Sequence, residues 1–536
     1  MIKIFSDKQK SFYMEKEEWV MRSKGIVKGF FILMFVMICA IGFLPQRVLA
    51  VSELRIGIGI DADTWNPQEQ TTTLIQNMCD LIYDTLFYQT PDGRLEPRLA
   101  AGYEVSKDGL TYTIRLRKGG KFSDGTPFDA KALKITFDRA IDPKMRVPLR
   151  FAIAMIKEVK IVDDHTIRIE LKYPFAPFAP TLSLTICSPI SPAAIEKYGE
   201  DVRQNPVGAG PYILKEWVKG DRIVMVRNEN YYGPKPTVAQ LTFKIIPEDA
   251  TREVMLRTGQ IDICYKPLPS NVAALKADPN ITVEMPLDTR TIFMGLNYKK
   301  GVTKNKLVRQ AFNYAVDKKA IVKKILFDTA VPMDGPVSPI LFGYHKMAHQ
   351  YEYNPEKAKE LLKKANFDFN QTVNMRTPQG RYLFDKQVSE AIQAYLQAIG
   401  VKAELRTYDW PTYVAGLLKP IEETELEVFL LGWGPLILDA DMGLYGQFHS
   451  SVNPPKGLGA AHYDNPEYDK VMDASRLEQN PKKRLEILKK ASEIVWDDCP
   501  WIWLHVEKFV IAYSKKIKGM VVTSTEKFYP TYIKME

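Results

Sequence analysis

Residues 96–140 read EPRLAAGYEVSKDGLTYTIRLRKGGKFSDGTPFDAKALKITFDRA. Within them Tyr112, Ile114 and Leu116 alternate with Thr111, Thr113, Arg115 and Arg117, the period of a half-buried strand. Gly119-Gly120 and the run Ser123-Asp124-Gly125-Thr126-Pro127 supply turns, because glycine accepts positive φ and aspartate bonds its own following backbone. Asp129 is placed to cap a helix whose Leu133, Phe137, Ala140 and Ile141 form one apolar face. Nothing in the stretch is a catalytic constellation.

Outward from it, strand-like and helix-like patterns alternate, which predicts an α/β fold. Residues 54–60 (LRIGIGI) read as a strand that runs into a polar, aromatic loop, 61–67. Residues 71–89 read as a helix with Leu74, Met78, Leu81, Ile82 and Leu86 on its apolar face. Residues 158–172 read as a hairpin, and the proline-rich 173–192 as loop. Asn354 and Pro355 open a helix as cap and first residue. Residues 386–399 form another helix, leading into a strand at 402–405, and 481–495 read as an amphipathic helix.

The motifs resemble the signature of the large extracytoplasmic solute-binding proteins of ABC importers, family 5, the peptide- and nickel-binding type. That family carries P-x-L-A, D-G-x-x-Y, L-R and F-x-D-G-T-P-F in this order, matched here from Pro97 to Phe128. NPVGAGPY from Asn205 is similar to its P-x-G-T-G-P-Y, with Ala209 in the threonine's place. A phosphate loop at Gly208 and Gly210 lacks the lysine and hydroxyl it needs. RTGQIDI at 257–263 and LNYKKGVTKNKLVRQAFNYAVDKKAIV from Leu296 continue the family order. The resemblance implies a two-lobed, class II periplasmic-binding-protein fold with an additional inserted domain (cluster C type). Lobe I is then discontinuous, 51–78, 205–290 and 508–536; the inserted domain is 79–204 and lobe II is 291–507. The ligand lies between lobes that close about their crossings.

A chain of 536 residues exceeds one ordinary core, and 46% hydrophobic with 26% charged residues fits neither disorder nor a polytopic membrane protein. Residues 29–44 (GFFILMFVMICAIGFL) are apolar, preceded by Arg22, Lys24 and Lys28 and followed by Val48-Leu49-Ala50. This is the order of a secretory signal peptide occupying 1–50, with cleavage after Ala50 and Met21 as an alternative start. A periplasmic location follows, the alternative being an uncleaved anchor. Residues 1–50 hold eight Lys/Arg and four Asp/Glu, so cleavage lowers the formal charge from +9 to +5. With no basic block, nucleic acid is not an expected partner. Cys79, Cys187, Cys264 and Cys499 have no CxxC spacing, which leaves buried thiols or one disulfide.

His345 and His349 lack the intervening glutamate of a zinc helix, and no G-x-S-x-G elbow occurs. No enzyme, resident metal or cofactor is expected. A binding cleft needs aromatic walls and a few placed polar groups. Trp65 and Asn66 follow the first strand, although Trp65 also suits packing beneath the loop. Arg376 and Arg381 flank a turn and suit either a ligand carboxylate or solvent. Tyr408 and Trp410 end the strand from 402 and suit stacking on ligand or packing. LGWGPLILDADMGLY, 431–445, resembles the family's G-W-x-x-D-x-x-D-P-D loop, whose first aspartate takes the α-ammonium in peptide binders. Trp433, Asp439 and Asp441 match, whereas Leu436 stands at that first aspartate. The resemblance implies a monomer that captures a peptide-like or other amide- or carboxylate-bearing solute. It implies delivery to an ABC permease and ATPase, with a sensor role or a nickel- or haem-type carrier as alternatives.

Overall fold

The computed structural model describes residues 52–90 and 93–536, with the backbone alone at Thr531. The expected signal peptide at 1–50 lies outside the described residues. Among the described residues no helix is long and apolar enough to cross a membrane.

Two large mixed sheets build two lobes. The seven-stranded sheet has the order Ile281–Glu284, Ile511–Ser514, Ile263–Tyr265, Glu53–Ile58, Gln240–Ile245, Arg222–Arg227, Tyr212–Val218. Glu53–Ile58 pairs parallel with both its neighbours. The six-stranded sheet has the order Ala330–Pro332, Trp501–Lys508, Leu287–Leu296, Val428–Trp433, Thr372–Pro378, Lys402–Tyr408. A four-stranded antiparallel sheet, Ala100–Val105, Thr111–Leu116, Thr166–Leu171 and Ile156–Asp163, forms the further domain around its own apolar core.

The opening stretch folds as its chemistry dictates. Tyr112, Ile114 and Leu116 are buried on one face of Thr111–Leu116, and Gly119 and Gly125 take φ of 75° and 86° in the turns. The Asp129 carboxylate accepts from the Ala132 N–H at 2.9 Å and caps Ala130–Ile141, whose Leu133, Phe137 and Ala140 are fully buried. Asn354 caps Pro355–Lys364 in the same way.

One expectation is corrected. The helix over 71–89 is confined to Thr73–Tyr83, because Asp84 turns left-handed at φ 59° and the chain re-enters as the strand Phe87–Gln89. That helix crosses the expected boundary at 78 and packs along its length into the core of the seven-stranded sheet. The expected boundary at 290 falls inside Leu287–Leu296, which pairs on both sides within the six-stranded sheet. Helix packing at 78 and strand pairing at 290 are both invisible to local periodicity.

The two large sheets are joined by adjacent crossings, 285–286 and 509–510, clamped where the Phe509 N–H donates to the Pro286 carbonyl at 2.9 Å. Cys79, Cys187, Cys264 and Cys499 are buried free thiols.

His505, on Trp501–Lys508, is enclosed in the apolar core, and its Nδ1 has no partner among the described residues. Burial drives its pKa down from 6.5 to about 3. The unfolded chain binds this proton below pH 6.5 and the native protein does not. Stability contributed by the neutral ring is therefore complete above pH 6.5 and is lost as pH falls from there towards 3. His505→Gln should flatten the acid limb of stability against pH. The gap between wild type and variant should change by up to about 3 kcal/mol between pH 7 and pH 4, at 1.36 kcal/mol per pH unit. Parallel urea-denaturation curves over that range refute this reading of His505.

Candidate functional site

Two cavities with shared walls lie where the helix Thr73–Tyr83, the segment 525–529 and the loop after Trp433 meet. One of about 680 Å³, its open mouth included, is lined by Asp80, Asp84, Tyr88, Arg98, Lys527 and Tyr529 among others. The next, about 420 Å³ on the same measure, is lined by Asp288, Arg290, Pro435 and Glu526, and shares Asn77, Leu436, Thr525 and Lys527 with the first. A small hollow beside them, lined by Trp433, Thr289 and Thr291, is too narrow to hold a water molecule. The walls therefore come from the end of the helix Thr73–Tyr83, the strand entering the six-stranded sheet, the loop after Trp433, the segment 525–529 and the further domain.

Each charge is positioned by local structure. Because Asp84 ends its helix left-handed, its carboxylate turns back to accept from Tyr232 at 2.6 Å, Tyr231 at 3.2 Å and Arg98 at 3.2 Å. The Arg98 guanidinium lies 5.1 Å from the Tyr88 ring centre and 5.4 Å from that of Tyr529. Burial opposes the Arg98 cation, but the field of Asp84 and the tyrosines outweighs it and raises its pKa. Asp80 pairs with Lys527 and accepts from the Thr185 hydroxyl at 2.6 Å.

At the crossings the charges crowd. Glu526 accepts from Tyr265 at 2.8 Å and Lys266 at 2.9 Å, and Arg290 lies 3.4 Å from Glu507 and 3.9 Å from Glu526. Burial alone would raise the Glu526 pKa; Lys266 and Arg290 overcome it and hold it at about 2. For Asp288 burial and the neighbouring Glu526 charge work together and push the pKa up to about 7. Glu507 is likewise raised by burial, against the pull of Arg290.

The residues expected from sequence are distributed differently. Trp65 is fully buried, edge-on to Trp217 with ring centres 5.8 Å apart. Asn66 is buried and donates to Glu69 at 2.7 Å, bracing its loop. Arg376 pairs with Glu425 at 2.7 Å, and its guanidinium lies 5.5 Å from the Tyr408 ring centre. Arg381 lies over Trp410 at 4.8 Å, beside Tyr382. These four gather at the edge of the six-stranded sheet, and none of them lines the two cavities or the hollow beside them.

Asp439 and Asp441 do not face the cleft either. Asp439 is held bidentately by Arg484 at 2.6 and 2.7 Å, and Asp441 by Arg476 at 2.8 and 2.9 Å. All four side chains are mostly or wholly buried. Their carboxylates are consumed internally. Trp433 lines neither of the two open cavities; it borders the small hollow beside them, with its indole N–H given to the Met442 carbonyl at 2.8 Å. Leu436 lines both cavities and packs on the core of the further domain, and the Leu438 N–H donates to Gln89 at 2.9 Å.

Sequence reasoning passed over Asp80, Asp84, Arg98, Asp288, Arg290, Glu526 and Lys527. One signal was available: Asp288-Thr289-Arg290 places charge at the head of an otherwise apolar strand.

This architecture, two α/β lobes joined by adjacent crossings over a charged, aromatic cleft, defines a two-lobed solute-binding protein. The family model of bacterial extracellular solute-binding proteins, family 5 (middle), matches residues 94–455, and the chain belongs to that family. It is 33% identical over 474 residues to the glutathione-binding protein GsiB of Salmonella paratyphi A, covering 88% of this chain and 92% of the relative. Among solved structures it is similar to the periplasmic binding protein DppA from Helicobacter pylori in complex with the peptide STSA. That likeness has 28% identity and a TM-score of 0.78, covering 90% of this chain and 98% of the other. It is also similar to NikZ from Campylobacter jejuni in complex with Ni(L-His), at 25% identity and a TM-score of 0.76, covering 89% and 97%.

Proposed function

We propose that the chain is the periplasmic binding subunit of an ABC importer, exported with cleavage near Ala50, and that its cargo is peptide-like. It acts as a monomer with no catalytic step, closing its lobes on the cargo and presenting it to a permease and ATPase. In this reading lobe I carries the seven-stranded sheet, lobe II the six-stranded sheet, and the further domain is inserted in lobe I.

The observation that carries the reading is the pair of adjoining cavities in which Tyr88 and Tyr529 stand beside charges of both signs. Such a lining suits a peptide, which carries an ammonium, a carboxylate and amides. The family membership and the glutathione-binding and peptide-bound relatives support it.

Thermal unfolding of the mature protein with glutathione, short peptides, sugars and nickel–histidine tests it. At a hundredfold excess over Kd a true ligand stabilises by about 2.7 kcal/mol, raising Tm by a few degrees. A shift with peptides or glutathione is the expected result. A shift confined to nickel–histidine transfers the proposal to a metal-complex carrier, and one confined to sugars removes it.

A further inference from the structure

We propose that Asp288 is the acceptor for an ammonium group of the cargo. The inference rests on the peptide-like reading above and deepens it to a requirement for a cationic amine.

Four carboxylates line the two cavities: Asp80, Asp84, Asp288 and Glu526. Asp80 is neutralised by Lys527, Asp84 by Arg98, and Glu526 by Lys266. Asp288 has no ammonium or guanidinium within 4.0 Å among the described residues. Its Oδ1 accepts from the Thr289 hydroxyl at 3.2 Å and the Arg290 N–H at 3.1 Å, while no described residue donates to Oδ2. The residue is only 3% exposed, yet it forms part of the cavity wall. Leu436 and Leu184 line the same cavity and contribute no charge.

The surroundings explain why the vacancy for a cation is chemical and not merely spatial. Asp288 is faced by Glu526 from the segment 525–529, Glu507 from Trp501–Lys508, Arg290 from its own strand and Lys266 from beyond Ile263–Tyr265. Arg290 is already shared between Glu507 and Glu526, and Lys266 is given to Glu526. Around Asp288, then, three carboxylates (Asp288, Glu526 and Glu507) meet two cations, Arg290 and Lys266. One positive group from outside balances the set, and a buried unpaired carboxylate gains most from receiving it. In the free protein Asp288 relieves the imbalance by holding a proton near neutral pH. An arriving ammonium displaces that proton, so binding of a free amine is coupled to proton release.

Calorimetric titration of the mature protein with glutathione, trialanine and their N-acetyl forms, in buffers of different ionisation enthalpy, tests this. The expected result is release of about half a proton near pH 7 with the free amines and none with the acetylated forms. Asp288→Asn should weaken the free amines tenfold or more, abolish the release, and leave the acetylated forms unchanged. Should that variant fail to fold, Asp288→Ser replaces it, and the wild-type proton count decides without either. Free amines that bind the variant as tightly as wild type, or bind wild type without proton release, overturn the inference and leave the peptide reading intact. Binding of neither peptide nor glutathione, with the protein folded, overturns both.

Discussion

Gly210→Ala is expected to cost about 4 kcal/mol or more of folding stability, at the upper end of what single substitutions do. A Cβ at Gly210 would stand 2.4 Å from the Leu81 carbonyl oxygen and 2.6 Å from the Ile82 carbonyl carbon. At Gly208 it would stand 2.4 Å from both the Ile82 oxygen and the Tyr83 Cα. The obstacles are backbone, so no side chain can swing aside. The approach is close because the segment caps the helix Thr73–Tyr83: the Gly210 N–H donates to the Ile82 carbonyl at 2.8 Å, and the Asn228 amide holds the Gly210 carbonyl at 2.8 Å. A methyl group must push the helix end away, and with it Asp80 and Asp84 of the cleft. Gly220 is the control. It has φ 75° with nothing within 4 Å of an added Cβ, so Gly220→Ala should cost only about 1 kcal/mol, the left-handed backbone penalty. Urea denaturation of the two variants separates the cases, and a Gly210→Ala protein within about 1 kcal/mol of wild type contradicts the argument.

Arg484→Leu is expected to destabilise by about 3–5 kcal/mol without altering the cleft's preference among ligands, because it strands the buried Asp439 carboxylate. The pair is 5% and 6% exposed at its side chains, is bidentate, and is extended by the Arg484 Nε–H to the Ser475 carbonyl at 3.0 Å. Asp439 also accepts the Asp441 N–H at 2.9 Å and so holds the loop that follows Trp433. Asp439→Asn should cost a comparable amount, and the two losses should be far from additive, since either one alone ruins the pair. The exposed pair Lys319–Glu352, 72% and 66% exposed, provides the contrast; its removal should change stability by less than about 1 kcal/mol. If Arg484→Leu lost ligand binding at unchanged stability, the assignment of this pair to the scaffold would be wrong.

The two predictions concern motifs that were conspicuous as sequence. Gly208 and Gly210 lack the lysine and hydroxyl of a phosphate loop, and the reason for both glycines is the helix end at Leu81–Tyr83, more than 120 positions earlier in the chain, packed against them. Asp439 and Asp441 sat where a ligand-binding loop places carboxylates, and both are neutralised from helices later in the chain. In each case residue type was legible and partner was not.

Local elements, and the kind of molecule they build, are legible in residue type and spacing. Alternation in 111–117, the cap at Asp129, and Asn354 with Pro355 act through neighbours one to four residues away, so their outcome is written in the spacing. The family resemblance is carried by those same turns and caps. Which charges line the cavities is set by the tertiary fold alone. Asp84, Arg98, Asp288, Glu526 and Lys527 lie up to more than 400 positions apart, and what each can do depends on which other ion reaches it first. Pairing in a low-dielectric interior is a contest settled by proximity in space, and Asp288 is the carboxylate that the contest leaves without a cation.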